Sequence, residues 1–180
     1  MSNPKKTKAA PKIRFTATLL EPTETDAWTF LVLPKDASKK LPSRGMTMIE
    51  GTINGSGFKA TVEPDGQKSH WLKVTRAMSN GASAGDTVSL KITPSQEEPP
   101  VPADLRKALT AHPKARATWS DITTAARMDW IHWIVSAKQS ETRVRRIKNA
   151  CSMLASGKRR VCCFDRSGFY SKSFCAPERA

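Results

Sequence analysis

The sequence lacks an apolar run long enough to cross a bilayer. Its longest apolar stretches are FLVL at residues 30 to 33 and WIHWIV at residues 130 to 135, whereas a membrane-spanning helix needs about 20 such residues. The N-terminal segment MSNPKKTKAAPK has the positive charges of a signal peptide, but no apolar segment follows them. We therefore interpret residues 1 to 12 as a flexible basic arm and expect a cytoplasmic protein without membrane insertion.

Cysteine is scarce and is confined to the last thirty residues. The four cysteines are Cys151, Cys162, Cys163 and Cys175, and because no secretory signal precedes them we expect reduced thiols. No C-x-x-C pair is present, and the adjacent Cys162 and Cys163 should project in different directions. We therefore predict no metal site and no cofactor.

Catalytic motifs are also missing. The chain has no G-x-S-x-G and no H-E-x-x-H, and its GKRR lacks the other residues of a phosphate loop. His70, His112 and His132 share no motif, so we interpret them as packed or surface histidines. His132 is expected to point away from the core stripe of its helix. The sequence therefore predicts a protein that is not an enzyme.

Positive charge is what the sequence has in excess, with a formal net charge of +14. Residues 1 to 100 hold 14 Lys and Arg against 10 Asp and Glu, and residues 101 to 180 hold 16 against 6. A field concentrated in the second half attracts polyanions such as nucleic acid. An excess of one sign also serves solubility, and the sequence leaves both interpretations open.

Residues 13 to 93 show short runs of alternating apolar and polar residues separated by turn residues, a pattern typical of strands. Asn54-Gly55 lies between two such runs and predicts a tight hairpin, since only residues that tolerate positive φ fit there. Gly51 and Gly55 are accordingly assigned to backbone geometry. Six or so short strands without a long helical pattern favour a small closed barrel.

Residues 94 to 100 are rich in proline and glutamate and predict a linker to a helical module over residues 101 to 160. Helices are expected from Pro102 to about residue 111, from near Thr123 or Thr124 to about residue 137, and from Ser140, as the cap, to Gly157. The fold class is therefore α+β. Residues 161 to 180 form a tail, part of which should pack back onto the body.

The aromatic residues of the helical module are assigned to its core. Trp119, Trp130 and Trp133 could stack on bases, but two of them occur at helical spacing beside Ile134, which is more typical of packing. A helical wheel for the last helix likewise groups five apolar side chains into one core-facing stripe. These are Val144, Ile147, Ala150, Cys151 and Leu154.

The segment AKQSETRVRRI at residues 137 to 147 divides into two parts on that wheel. Its first part is interpreted as the structural joint between two helices and comprises Lys138, Glu141, Thr142 and Arg143. Arg143 lies in the first helical turn, where the helix dipole disfavours a cation. We therefore expect a forked hydrogen bond from Arg143 to a carboxylate, with Glu141 or Asp129 as the candidate partner.

The second part begins a basic face that GKRR continues, with no acidic residue between positions 142 and 164. The polyanion-binding candidates are Arg145, Arg146, Lys148, Lys158, Arg159 and Arg160. The leading hypothesis is a binding protein that engages nucleic acid or another polyanion here. The alternative is a small-ligand or protein-interaction module at the barrel mouth, with Asn54, Gly55, His70 and Trp71 as candidates.

Several stretches together resemble the bacterial YdeI/OmpD-associated, bacteriocin-protection-like family in its two-part form. The matching residues are Gly51 to Gly55; Val101, Pro102, Leu105, Ala108 and Leu109; and Trp133, Ile134, Ala137, Lys138, Glu141, Thr142, Arg143, Arg145, Arg146 and Ile147. The resemblance implies a six-stranded barrel of the double-split kind followed by helices. It also implies a link to bacteriocin or envelope stress tolerance, and it brings no catalytic residues.

Overall fold

Strands occupy the first half of the chain and the longer helices occupy the second, so the predicted α+β class is confirmed. The structure is a computed structural model that describes residues 9–24, 27–95, 97–98, 100–161 and 175–180. The chain divides into two units, residues 1–96 with residues 167–180, and residues 97–166. Most of the predicted N-terminal arm, together with Cys162 and Cys163, lies outside the described residues.

Six antiparallel strands form one strongly curled, barrel-like sheet, in the order β1-β6-β3-β4-β5-β2. The strands are β1 Ile13–Thr18, β2 Trp28–Val32, β3 Thr47–Ile53, β4 Ser56–Pro64, β5 His70–Thr75 and β6 Thr87–Pro94. Two short helices, α1 Lys35–Ser38 and α2 Arg76–Ser79, lie in the connections after β2 and β5. Each strand corresponds to a run of alternating residues in the sequence.

The alternation in the strands becomes an inside and an outside of the sheet, because successive side chains point to opposite faces. In β6, Val88, Leu90 and Ile92 are buried, and the polar residues between them are exposed. Ile49 and Leu72 contribute to the same apolar core from β3 and β5. This core fixes the register of the strands, since a slip by one residue would expose every apolar side chain.

The hairpin between β3 and β4 has the geometry that Asn54-Gly55 predicts. Both residues have positive φ, 46° for Asn54 and 84° for Gly55, as a two-residue turn with the hairpin twist requires. Gly51 serves the sheet differently, because a Cβ at this position would lie 1.9 Å from the carbonyl oxygen of Lys91 on β6. The assignment of both glycines to backbone geometry is therefore confirmed.

The edges of the curled sheet are joined at one end by backbone hydrogen bonds. Leu20, just after β1, and Phe30 of β2 exchange N–H···O bonds of 2.7 and 2.9 Å. Beyond this bridge, the N–H of Thr23 donates to Glu178 at 3.0 Å and the N–H of Ala180 donates to Glu21 at 2.8 Å. The end of the chain therefore returns to the N-terminal unit, as expected for part of the tail.

The second unit contains four helices among the described residues. They are α3 Ala103–Ala111, α4 Pro113–Asp121, α5 Thr124–Val135 and α6 Ser140–Ala155. Helix α4 was not predicted, because the first expected helix ends at about residue 111 and the next begins near Thr123. Pro113 is in fact the start of the next helix, where a missing N–H costs nothing. None of the helices in the described residues is long and apolar enough to cross a membrane.

The helix ends follow the sequence signals with one exception. The Thr123 side chain accepts a hydrogen bond from the N–H of Ala126 at 3.2 Å, and Gly157 has φ of 86° just after α6. The exception is Ser140, which is the first residue of α6, whereas Gln139 occupies the cap position and makes no side-chain capping bond. Ser140 was therefore wrongly predicted as the cap.

Helix α5 is buried on nearly its whole circumference. Trp130 is fully buried and His132 is only 2% exposed, so the expectation that His132 points out of the core is wrong. A helix surrounded on several sides has no solvent-facing stripe for a polar residue to occupy. Trp119 is also buried, and Trp133 is half-buried with its ring 6.1 Å from that of Trp130, so the tryptophans pack as predicted.

Candidate functional site

Arg143 forms the forked hydrogen bond that its position in the first turn of α6 predicts, but with a different partner. Its Nε donates to Oδ2 of Asp104 at 2.6 Å, and its Nη2 donates to Oδ1 at 3.0 Å. Asp104 lies in the first turn of α3, so the pair links α3 to α6 instead of α5 to α6. The hydrogen bond from Arg143 lowers the pKa of the Asp104 carboxyl below its usual value.

Arg146 holds the corner between α5 and α6. Its Nη1 donates to the carbonyl oxygen of Trp133 and, at 3.0 Å, to the hydroxyl of Ser136, the residue that ends α5. The guanidinium carbon also lies 5.4 Å from the centre of the Trp133 ring, a favourable cation–π distance. Arg146 was predicted to belong to the polyanion face, and the structure shows that its guanidinium is engaged with the end of α5.

Arg159 ties the segment after α6 to the end of α4. Its Nη1 donates to Oδ2 of Asp121, and its Nη2 donates to the Asp121 carbonyl oxygen at 3.0 Å. The indole N–H of Trp130 donates to the carbonyl oxygen of Arg159 at 3.4 Å. The bond from Arg159 lowers the pKa of Asp121. A second member of the predicted face is therefore engaged within the protein.

The other four predicted cations form what we call the open basic set: Arg145, Lys148, Lys158 and Arg160. All four are exposed, and the described contacts of their side chains include no carboxylate. Arg145 and Lys148 are three residues apart on the outer side of α6, and Lys158 follows the helix end. At 1.5 Å per residue, Arg145 lies roughly 15 Å from the end of α6 at Ala155, and Lys158 and Arg160 follow in the segment after the helix.

The remaining residues of the predicted joint are placed nearer the surface. Lys138 and Glu141 are exposed, and Thr142 is half-buried. Val144, which the wheel assigns to the core stripe, is 67% exposed, so that assignment is wrong. The buried stripe of α6 begins one turn later, at Ile147, because the first turn of α6 extends past the end of the core.

The four predicted barrel-mouth residues do not form one site. Asn54 and Gly55 precede the first residue of β4, whereas His70 pairs with Pro64 at its other end. A nine-residue strand separates them by roughly 27 Å. Asn54 serves the sheet, because its Oδ1 accepts the N–H of Ser89 at 2.9 Å.

His70 is fully buried and both of its ring nitrogens are occupied. Nδ1 lies 2.7 Å from the hydroxyl of Ser38 in α1, and Nε2 lies 3.0 Å from the carbonyl oxygen of Gly45. Burial lowers the pKa of His70, which favours the neutral ring. A neutral His70 can donate to Gly45 through Nε2 and accept from Ser38 through Nδ1, so it fastens α1 and the loop before β3 to β5.

Trp71 lies on the opposite face of β5 from His70, in a cluster of aromatic rings. Its ring stacks on Trp28 at 6.5 Å and meets Phe30 edge-on at 6.2 Å. The ammonium of Lys73 lies 4.5 Å from the centre of the Trp28 ring. Since His70 and Trp71 point to opposite faces, they cannot act on one ligand together.

The structure contains a cleft that the sequence did not reveal. It has a volume of about 490 Å³ and lies where β2 begins and β5 ends, beside α2 and the loop after it. Residues that line it include Glu21, Trp28, Val74, Arg76 and Ser83. Glu21 and Arg76 are far apart in the sequence and belong to no motif, so no local pattern could have paired them.

Comparison with known protein families identifies both units. Residues 98–157 match the family described as bacteriocin-protection, YdeI or OmpD-associated. Residues 15–92 match a domain of unknown function, DUF1905. The chain carries a YdeI/OmpD-associated domain in its second unit and a DUF1905 domain in its first, which matches the two-part form. Comparison with curated proteins gives no match.

The two domain matches confirm the resemblance seen in the sequence. The OmpD-associated match covers all four helices of the second unit up to Gly157, and the other match covers most of the curled sheet. Arg143, Arg145, Arg146 and Lys148 lie within the first match, whereas Lys158 and Arg160 lie just beyond it.

Proposed function

We propose that this YdeI/OmpD-associated protein is a non-enzymatic binding protein whose helical unit engages nucleic acid through the open basic set. The observation that supports this is that three of the predicted cations are bonded within the protein, whereas four are exposed. Arg143 and Arg159 pair with carboxylates and Arg146 with α5, whereas Arg145, Lys148, Lys158 and Arg160 remain exposed. The charge that is left over is therefore local and has one sign.

Helix electrostatics do not account for Arg145 and Lys148 in the open basic set. Cations stabilise a helix when they lie in its last turn, but the last turn of α6 holds no basic residue. Arg145 lies in the second turn of α6 and Lys148 near its middle, where the dipole gives them no benefit. Phosphates of a duplex strand follow at about 3.4 Å per nucleotide, so the stretch of about 15 Å from Arg145 to the end of α6 spans roughly four of them.

The proposal is tested by fluorescence anisotropy with labelled single- and double-stranded oligonucleotides at 50 mM salt, on protein freed of nucleic acid. The variant R145Q/K148Q/K158Q/R160Q removes four charges from the open basic set. Its matched control is R106Q/K107Q/K114Q/R116Q, which removes four exposed charges from α3 and α4 of the same unit. We expect the first variant to lose about tenfold or more in affinity and the control to lose much less.

Two outcomes would remove the proposal. One is no binding by the unmodified protein at 50 mM salt. The other is an equal loss from both variants, which would show that only total charge matters. The family description also motivates a cellular experiment. If nucleic-acid binding underlies a role in bacteriocin tolerance, cells carrying the first variant should survive bacteriocin less well than cells carrying the control.

A further inference from the structure

We propose that the cleft at the α2 end of the curled sheet is a binding site for a small zwitterion, a molecule that carries both a carboxylate and an ammonium group, such as an amino acid or a short peptide. Its volume of about 490 Å³ lies within the usual range of small-molecule sites, roughly 300 to 1,000 Å³. The site belongs to the N-terminal unit and is independent of the open basic set.

The charged residues at this cleft have opposite signs. Arg76 is the first residue of α2 and Glu21 follows the bridge between Leu20 and Phe30, and both are exposed and line the cleft. A guanidinium binds a carboxylate in a fork, and a carboxylate accepts hydrogen bonds from an ammonium. A ligand with one charge would leave the other residue unmatched, whereas a zwitterion satisfies both.

The apolar part of the cleft suits an uncharged side chain on the ligand. Trp28 and Ala82 are half-buried at the cleft wall. The hydroxyl residues Thr29 and Ser79 are already engaged, since they donate to the carbonyl oxygens of Val74 at 3.4 Å and Arg76 at 3.1 Å. Specificity is therefore assigned to Glu21 and Arg76, with an aliphatic group between them.

The loop that borders the cleft is held in place before any ligand arrives. Asn80, Gly81 and Gly85 have positive φ, and the N–H of Gly85 donates to the carbonyl oxygen of Leu19 at 2.8 Å. The N–H of Ser83 donates to Oδ2 of Asp86 at 2.8 Å. A preformed site loses less entropy on binding than a mobile loop does, so the cleft can hold a small ligand.

The test uses the full chain, titrated with four probes and followed by isothermal calorimetry and by amide shifts of the loop at residues 81 to 84. The probes are L-leucine, leucyl-leucine, leucine methyl ester, which lacks the anionic charge, and N-acetyl-leucine, which lacks the cationic charge. We expect a zwitterion to bind about tenfold more tightly than either singly charged probe, which corresponds to one charge-assisted contact.

Two substitutions test which residue binds which charged group of the ligand. R76Q should weaken leucine and N-acetyl-leucine but not the methyl ester, and E21Q should weaken leucine and the methyl ester but not N-acetyl-leucine. R14Q, at an exposed position of β1, is the matched control and should leave the affinity for all four probes unchanged. A thermal melt of each variant verifies folding. The proposal is overturned if neither zwitterion shifts the loop amides at about 10 mM, roughly the weak limit of specific small-ligand binding. It is also overturned if R76Q and R14Q behave alike.

Discussion

Arg146 shows how the surroundings of a side chain decide its role. It is the last residue of the sequence RVRR, after the half-buried Arg143 and the exposed Arg145, yet it alone of the three bonds to the carbonyl oxygen and the hydroxyl at the end of α5. A hydrogen bond from a charged donor to a partly buried carbonyl contributes about 1.5 to 3 kcal/mol. Arg143, by contrast, pairs with Asp104 where both side chains remain 33% and 45% exposed, and solvent weakens such a pair.

We predict a ranked effect of alanine substitution along this segment. R146A should lower the free energy of unfolding by about 1 to 3 kcal/mol, since it removes the bond to α5 and the contact with Trp133. R143A should lower it by about 0.5 to 1 kcal/mol, and R145A by less than about 0.5 kcal/mol. Urea unfolding monitored by tryptophan fluorescence measures all three. A larger effect of R145A than of R146A would contradict the structural role of Arg146.

His132 makes the stability of the helical unit depend on pH. Burial lowers its pKa to about 4, from an ordinary value of 6.5. Because the folded state holds the ring neutral, the stability that depends on a neutral His132 is fully present above pH 6.5. It is lost as the pH falls towards 4. The total loss is roughly 3 to 4 kcal/mol at most, since each pKa unit corresponds to about 1.4 kcal/mol.

We therefore predict that the free energy of unfolding falls between pH 6.5 and 4.5 and that H132F flattens this decline. Urea unfolding at half-unit steps of pH measures it. His70, whose pKa is also lowered by burial, contributes in the same direction, so a decline that remains in H132F should be reduced further by H70N. If H132F leaves the slope unchanged, His132 does not titrate as its burial requires.

At the scale of elements, Gly51 determines how closely β3 and β6 approach. We predict that G51A is severely destabilising, by about 3 kcal/mol or more, because the added Cβ would lie 1.9 Å from the Lys91 oxygen and the backbone would have to shift. Gly57 in β4 is the matched control, since a Cβ there meets nothing within 4 Å. Thermal melts of G51A and G57A should differ by several degrees or more. Equal melting temperatures would refute the close approach.

The strands could be predicted from the sequence because each carries its own evidence. Alternation in segments such as VSLKI and the Asn54-Gly55 turn are local signals, and the strands lie where those signals are found. Helix α4 gave no comparable signal. Its buried residues are only Ala115 and Trp119, too few to show a helical period, and Pro113 obscures its beginning.

The partners of side chains could not be predicted, because they depend on packing between distant segments. The position of Arg143 in the first helical turn correctly indicated that it needs a carboxylate, but Asp104 lies 39 positions earlier in the chain. The sequence assigned Arg146 to the basic face, since it could not show that the end of α5 lies within reach. Glu21 and Arg76 illustrate the same limit, since only the closing of the curled sheet puts them on one cleft.

For the whole molecule, the net charge of +14 is less informative than its distribution. In the described part of the second unit, residues 97–98 and 100–161, Arg127, Arg143 and Arg159 pair with Glu98, Asp104 and Asp121. These pairs neutralise carboxylates whose negative charge would otherwise offset the positive charge of the exposed lysines and arginines. A surface that serves only solubility mixes both signs, whereas residues 142 to 161 hold no acid, and Glu141, one turn before Arg145, is the only acid of α6.

The salt dependence of binding to a duplex oligonucleotide tests most directly whether the open basic set contacts phosphates. Each neutralised phosphate contributes about 0.9 to the slope of log affinity against log salt. Removing Arg145, Lys148, Lys158 and Arg160 as glutamines should therefore make the slope shallower by about 3 to 4. The control at residues 106, 107, 114 and 116 should leave it nearly unchanged. Parallel salt plots for the unmodified protein and the first variant would contradict the claim that these four cations form the binding surface.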